Sequence, residues 1–262
     1  MSNDPTASTA ATEAENKYIE ALKLISAEGP GKDVKRAVSL FLEAAEAGHA
    51  RSLCNIGYMY SEGLGVPRDM EKAVTYLQKA ADLGVIQAQT NLGMFYERGR
   101  GVEKDLQKAV YWYEKAAEQG HPDACYNLGL FYYTGDVVAK DYVKAAKLFR
   151  TASDQFHAAA CYSLGLCYNL GQGVDKDDNM AVFCYKLASD KGNVSAIFNL
   201  GLHYYYGKGG LDVDKKEALT LFEEAAKAGH AKAKLAYDSL IAENEAEAAG
   251  EGASEASGAD PQ

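Results

Sequence analysis

Pairs of the form Gly-x-Gly are the first pattern in this chain that could do chemistry, because the backbone amides of glycine-rich loops bind phosphate. Such pairs begin at Gly63, Gly99, Gly171 and Gly207. No predicted strand precedes them and they recur in register, so we interpret them as structural turns. The motifs Gly-x-Ser-x-Gly and His-Glu-x-x-His and the Walker loop are absent from the sequence. We therefore predict no catalytic residue, no cofactor and no enzymatic activity.

Histidines are the next candidates, since imidazole is a common metal ligand. His49, His121 and His157 occupy one register of a repeating pattern described below. Stacked helices pack about 8–10 Å apart and each repeat holds two, so equivalent residues lie too far apart to share one ion. We interpret these histidines as helix-start residues and predict no metal site.

The chain has five cysteines, an odd number that does not suggest a disulfide framework. We predict reduced and mostly buried thiols, and with them a cytoplasmic protein. One bridge from Cys184 to Cys161 or Cys167 stays open as the alternative.

Composition excludes several further classes of function. The chain has 262 residues, of which 47% are apolar and 24% charged, an ordinary globular balance. Acidic residues outnumber basic ones by 37 to 27, and the net charge of −10 argues against nucleic acid or an anionic membrane as the main partner. No window approaches the roughly 18 apolar residues of a membrane-spanning helix, so we predict no membrane insertion.

The elements that position these residues are set by a 36-residue repeat. Its clearest marks are the glycines Gly57, Gly93, Gly129, Gly165 and Gly201. A tyrosine follows each of them by three residues, and another glycine follows by six. Glycine within a helix costs about 1 kcal/mol relative to alanine, so its recurrence indicates a point where a second helix comes too close for a Cβ atom.

A second half follows in each unit, in which an aspartate precedes an alanine by four residues and a large apolar residue follows that alanine by four. Aspartate is a strong N-cap, and residues at i and i+4 share one helix face. Each unit is therefore predicted to form two helices. The predicted pairs are 13–28/33–47, 49–62/69–83, 85–98/105–119, 121–134/141–155, 157–170/177–191 and 193–206/214–228.

The segment from Ala88 to Ala109 carries Asn-Leu-Gly-x2-Tyr-x2-Gly-x-Gly-Val-x2-Asp-x3-Ala, which resembles the Sel1-like repeat family. That resemblance covers about residues 17–240 and implies an all-α, α/α superhelical solenoid related to tetratricopeptide repeats. It also implies an adaptor or scaffold. Some relatives have been described as β-lactamase-like, but the three motifs of that chemistry, Ser-x-x-Lys, Ser-Asp-Asn and Lys-Thr-Gly, do not occur here.

The predicted organisation has a solenoid over residues 16–241 between two disordered tails, 1–15 and an acidic 242–262. Within the solenoid we predict a degenerate capping repeat 16–48, repeats 49–84, 85–120, 121–156, 157–192 and 193–229, and a capping helix 230–241. Phe156 stands where the other units have a turn glycine. A left-handed turn would be strained at this residue, so we predict that the turn is reshaped or loose.

The remaining candidate site is a surface for a peptide or protein of unknown identity. In tetratricopeptide-like solenoids the first helix of each repeat lines the concave face, where amides can hold an extended backbone and aromatic side chains can anchor a partner. The predicted binding residues are Asn55, Asn91, Asn127, Asn199, Tyr126, Tyr133, Tyr162, Phe198, Tyr205 and Tyr206. Packing between repeats is the alternative role for all of them. The expected function is a monomeric, non-enzymatic adaptor, with a hydrolase or a self-assembling structural protein as the alternatives.

Overall fold

The computed structural model describes the backbone of residues 5–26 and 33–257, and in those ranges the chain forms thirteen α-helices and no strand. The helices are α1 Pro5–Ser26, α2 Val34–Glu46, α3 Ala50–Glu62, α4 Met70–Asp82, α5 Ile86–Arg98, α6 Leu106–Glu118, α7 Pro122–Thr134, α8 Tyr142–Ser153, α9 Ala158–Leu170, α10 Asp178–Ser189, α11 Val194–Tyr206, α12 Lys215–Lys227 and α13 Ala231–Ser257. The odd-numbered helices α3 to α11 are the first helices of their repeats, and the even-numbered ones that follow are the second helices. The predicted all-α repeat fold is confirmed.

Helices α3 to α12 begin and end within two residues of the predicted bounds, because the capping residues do what their types predict. The Asp69 carboxylate accepts from the backbone amide of Lys72 at 3.0 Å, and the other second helices have an aspartate in the same place. His49 and His157 cap first helices in the same way, accepting from backbone amides three residues later. The helix-start role predicted for these two histidines is therefore confirmed.

The chain divides into two compact units, Met1–Phe131 and Tyr132–Gln262. In the first unit, Phe41, Ile56 and Met59 belong to one buried cluster, and Leu77 and Leu92 belong to the next. In the second unit, Phe149, Tyr185 and Phe222 are among the largest fully buried side chains. The core thus lies along the helix faces on which the alanine and the large residue of each repeat recur.

Both ends differ from the prediction. Helix α1 begins at Pro5 and α13 continues to Ser257, so helical backbone occupies most of the ranges 1–15 and 242–262 that we predicted to be disordered. At the first end the alanine-rich sequence favours helix, and Lys17 pairs with Glu13 at 2.9 Å and with Glu43 of α2 at 3.2 Å. Residues 1–4 and 258–262 of the predicted tails lie outside the described residues.

The glycines inside the first helices lie where the second helices come closest. A Cβ atom on Gly93 would stand 2.7 Å from two ring carbons of Tyr113, and one on Gly57 would stand 2.7 Å from Cγ of Leu77. Equivalent contacts at 2.7 Å occur between Gly201 and Phe222. The close-approach explanation of the repeat is confirmed at these positions.

The turn between α8 and α9 keeps a left-handed conformation without glycine. Phe156 has φ of 58°, and it is the only non-glycine residue with positive φ among the described residues. A residue with a Cβ atom pays about 1–2 kcal/mol to adopt this conformation. The prediction of a reshaped turn is therefore wrong, and Phe156 carries the strain of the left-handed conformation.

Candidate functional site

All ten predicted binding residues lie on first helices. Asn55 is on α3, Asn91 on α5 and Asn199 on α11. The others are Tyr126, Asn127 and Tyr133 on α7, Tyr162 on α9, and Phe198, Tyr205 and Tyr206 on α11. Nine of them are partly buried, whereas the Tyr206 side chain is 58% exposed. The register is as predicted, but most of these side chains also contact the protein itself.

Asn127 is engaged with the core of the first unit. Its side chain lies close enough to the hydroxyl of Tyr113 to lower the pKa of that group, and Tyr113 is fully buried and donates to Oε2 of Glu97 at 2.7 Å. Burial and then the Glu97 carboxylate raise the pKa of Tyr113 far above its usual range, so this hydroxyl stays protonated and keeps donating. At this position the packing role that we left open is the one the contacts support.

Asn55 and Asn91 have different surroundings. Asn55 lines a cavity of about 370 Å³ together with Tyr58 and apolar side chains, among them Ile25 and Leu64. Asn91 accepts from Nε2 of Gln87, one turn earlier in the same helix, at 3.1 Å. Both amides remain partly exposed, so both are accessible to a ligand.

In the second unit, Tyr133 packs between repeats. Its ring lies 5.2 Å from Tyr142 and 6.2 Å from Phe149, and its hydroxyl donates to Oε1 of Gln172 at 2.6 Å. Burial raises the pKa of Tyr133. Only part of this ring is therefore open to a partner.

Tyr162 and Asn199 both lie against Tyr185, the buried tyrosine of α10. The Tyr162 ring is 6.0 Å from that of Tyr185, and the Asn199 side chain lies close enough to lower the pKa of the Tyr185 hydroxyl, although burial raises that pKa more strongly. The Tyr185 hydroxyl has no hydrogen bond of good geometry among the described residues. Asn199 therefore stands in the same relation to its neighbouring repeat as Asn127.

The aromatic residues of α11 face the C-terminal helix α13. Phe198 lies between Phe222 at 5.7 Å and His230 at 4.6 Å, with the histidine ring nearly parallel to it. Tyr205 donates from its hydroxyl to Oε2 of Glu243 at 3.0 Å. Helix α13 thus covers part of the surface that we predicted to be free.

Lys215 of α12 fixes α13 from the other side, since its Nζ contacts Glu243 at 3.0 Å and Glu247 at 2.9 Å. The hydrogen bonds that Lys215 donates to Glu247 and Glu243 raise the pKa of Lys215, and the bonds that Glu243 accepts from Lys215 and Tyr205 lower the pKa of Glu243. These contacts connect α13 to α11 and α12 beyond residue 241. The acidic composition of the segment was visible in the sequence, but its partner Lys215, 28 residues earlier, was not.

A cavity of about 180 Å³ lies where α11, α12 and α13 meet, and we call it the Tyr206 cavity. It is lined by Leu202, Tyr205, Tyr206, Phe222, Ala236, Ser239, Leu240 and Glu243. Tyr206 stands edge-on to Tyr205, with ring centroids 4.9 Å apart, and Nζ of Lys208 lies 5.3 Å above its ring. Two of the predicted anchors therefore meet at one opening beside an apolar floor.

Other chemistry is limited in the part of the chain that the structure describes. No three His, Cys, Asp or Glu side chains come together there as a metal site requires. The five cysteines are free and buried, as expected. Every helix in the described ranges is too short or too polar to span a bilayer.

Comparison with solved structures gives close relatives of the same fold. A protective antigen of uropathogenic Escherichia coli strains, displaying an SLR fold, is 31% identical with a TM-score of 0.80 over 94% of this chain. The match takes in 53% of the antigen, so this chain spans about half its length. A Sel1 repeat protein from Oxalobacter formigenes is 32% identical with a TM-score of 0.71 over 90% of this chain and 87% of that one. A comparison with proteins of curated function gave no match.

The family model of the Sel1 repeat matches six consecutive segments. They are residues 26–49, 50–85, 86–121, 122–155, 158–193 and 194–230. The segments cover most of the chain; the last five coincide with the helix pairs α3/α4 to α11/α12, and the first contains α2. Repeats of this kind generally mediate protein interactions and are typically non-catalytic. The chain belongs to the Sel1 repeat family.

Proposed function

We propose that this protein is a non-enzymatic adaptor that binds an extended segment of a partner protein on the surface of its first helices. The observation that carries the proposal is Tyr206, which is 58% exposed at the opening of the Tyr206 cavity. A large side chain that is mostly in solvent beside an apolar floor gains buried area only when a partner covers it. Membership of a family of interaction modules supports the same conclusion.

The geometry suits one apolar side chain of the partner. Leu202 and Leu240 give the cavity apolar walls, and the Tyr205 hydroxyl is already held by Glu243, so that ring is fixed before binding. A fixed ring loses little rotamer freedom on binding, which favours affinity. In the first unit, the partly exposed amides of Asn55 and Asn91 supply donors and acceptors for a peptide backbone.

The test compares two exposed tyrosines. Tyr206→Ala removes the proposed anchor, and Tyr111→Ala removes a 50% exposed tyrosine of α6, a second helix, as the control. Both variants should keep the helical spectrum of the wild type. Partners would be captured from the source cells by cross-linking and identified by mass spectrometry, and each would then be titrated as a purified protein. We expect Tyr206→Ala to weaken binding by about 1–4 kcal/mol, as a hot-spot residue does, and Tyr111→Ala to leave it unchanged.

The proposal of a first-helix binding surface would be refuted by a purified partner that binds each of the single variants Tyr206→Ala and Asn91→Ala as tightly as it binds the wild type. We further propose that the protein is monomeric and works in a reducing compartment such as the cytoplasm. A molar mass that rises with concentration in size-exclusion chromatography would favour self-assembly instead.

A further inference from the structure

Phe156 is a residue that local structure does not explain. The equivalent turns place glycine at positive φ, at Gly48, Gly84, Gly120, Gly192 and Gly229. Phe156 adopts the same conformation with φ of 58°, and its side chain is nevertheless 62% exposed. The protein therefore carries backbone strain at this turn without burying the ring in return. Strain of this kind concentrates at sites of function.

A second exposed aromatic side chain lies beside it. Phe183 of α10 is 55% exposed, and Phe156 and Phe183 line one cavity of about 290 Å³. The interior of this cavity includes Leu164, Leu187 and Cys184. Burial raises the pKa of Cys184 to about 12, so its thiol is neutral. We call this cavity with its two phenylalanines the Phe156 surface.

The net charge of α8, which lies beside the Phe156 surface, differs from that of the other second helices. Helix α8 carries Lys144, Lys147 and Arg150 and no acidic residue, which gives a net charge of +3. In α2, α4, α6, α10 and α12 the acidic and basic residues are equal in number, so each of those helices sums to zero. An unbalanced basic helix in a chain of net charge −10 is an electrostatic mark for a negatively charged partner.

Arg150 connects this charge to the cavity. It lines the cavity, with Asp154 as the acidic residue among the lining side chains. Its Nη2 donates to the hydroxyl of Tyr168 at 2.6 Å, and its Cζ lies 5.7 Å from the centroid of that ring. The guanidinium group is thereby held in place, and its further N–H donors can bind a carboxylate.

We propose that the Phe156 surface binds an acidic segment of a partner protein. One bulky apolar side chain of that segment enters the cavity between Phe156 and Phe183, and carboxylates next to it pair with Arg150 and Lys147. This surface is formed by α8, α9, α10 and the turn at Phe156, and it includes none of the residues of the first-helix site proposed above, so the inference stands independently of that site.

The test measures peptide binding to the full-length protein by fluorescence anisotropy. The probe is a labelled peptide in which two glutamates stand on each side of a single leucine, between Gly-Ser ends. One control peptide has serine in place of leucine, and another has lysines in place of the glutamates. We expect the first peptide to bind about tenfold or more tightly than either control. Its affinity should fall several-fold when NaCl is raised to about 0.5 M, because salt screens the carboxylates from the basic residues.

Three variants locate the binding. Phe156→Gly restores the residue of the other turns and so should fold, and Phe183→Ala removes the second ring. Each should weaken the leucine peptide by about tenfold. Tyr111 occupies the position of Phe183 two repeats earlier and is similarly exposed. The control variant Tyr111→Ala should therefore bind the peptide like the wild type. Circular dichroism melting curves show which variants are folded. If Phe156→Gly is not folded, Phe183→Ala still decides the test.

The proposal is overturned if the leucine and serine peptides bind equally, since charge alone would then account for the affinity. It is also overturned if folded Phe156→Gly or Phe183→Ala binds the leucine peptide as the wild type does, or if no binding is seen. Finally, vesicles containing phosphatidylserine should not bind. If they bind the wild type and are released by Phe156→Gly while the peptide does not bind, the surface is a lipid site and the proposal is wrong.

Discussion

Replacing Gly93 by alanine tests the packing rule on which the repeat is built. The added Cβ would lie 2.7 Å from Cδ1 and Cε1 of Tyr113 and 3.2 Å from its Cγ. This ring cannot move aside easily, because it is fully buried and its hydroxyl is bonded to Glu97. The helices α5 and α6 must therefore separate to admit one methyl group.

The expected change in the free energy of unfolding is a difference between two terms. Helix propensity favours alanine by about 1 kcal/mol. Overpacking a well-filled core costs about 1–3 kcal/mol. Gly93→Ala should therefore leave stability unchanged at best and lower it by about 2 kcal/mol at worst, where propensity alone predicts a gain. Gly57→Ala is the matched control, because the atoms it meets most closely belong to the more adaptable side chain of Leu77, and its loss should be smaller.

Urea unfolding followed by far-UV circular dichroism gives these values, and a double-mutant cycle assigns them to the ring. In a Tyr113→Ala background the obstacle is gone, so Gly93→Ala should become stabilising by about 1 kcal/mol. If Gly93→Ala stabilises the wild type and the Tyr113→Ala protein equally, close approach is not the reason for the glycine.

Three further predictions concern polar groups. Tyr113→Phe should lower the free energy of unfolding by about 1–2 kcal/mol in the same assay, because Glu97 loses its buried donor. Glu243→Gln should speed hydrogen exchange in α13 after residue 240. Lys215 and Tyr205 lower the pKa of Glu243 in the folded protein, so their stabilisation of α13 is complete above the ordinary carboxyl pKa of 4.5. It is lost as the pH falls through the lower pKa of the folded protein, and the wild type should then show the same faster exchange. The five buried cysteines should resist alkylation until the protein unfolds, and intact mass should then show five labels with or without reductant.

The fold was predictable because each local signal repeats with one period. Asp69 and the aspartates in its register precede the second helices, and Gly57 and its equivalents mark where the two helices touch. A helix boundary that is ambiguous in one repeat can therefore be assigned from the next. The ends lack this support. Past residue 241, helix α13 is contacted by Lys215, which is far away in sequence and pairs with Glu243, and no local pattern reports that contact.

The candidate site was less predictable, since its polar partners come from other helices. Tyr113 bonds to Glu97, 16 residues earlier, and Asn127 reaches the same hydroxyl from the next repeat. Phe156 could be recognised as unusual from its place in the repeat. Its relation to Phe183 could not, because the cavity between them depends on how α8, α9 and α10 pack.

The asparagine register shows why one pattern need not have one role. Two of the asparagines follow a repeat whose second helix has a buried tyrosine. Asn127 lies beside the hydroxyl of Tyr113, and Asn199 lies beside the hydroxyl of Tyr185. Asn55 and Asn91 follow repeats with Phe41 and Leu77 at that position, where there is no hydroxyl to satisfy. This packing explanation accounts for Asn127 and Asn199 and does not apply to Asn55 and Asn91. Asn55 and Asn91 are therefore the asparagines to test for binding of a peptide backbone, whereas Tyr206 is the exposed aromatic residue to test for binding of a side chain. Variants of the asparagines and of Tyr206 should be tested as separate contacts.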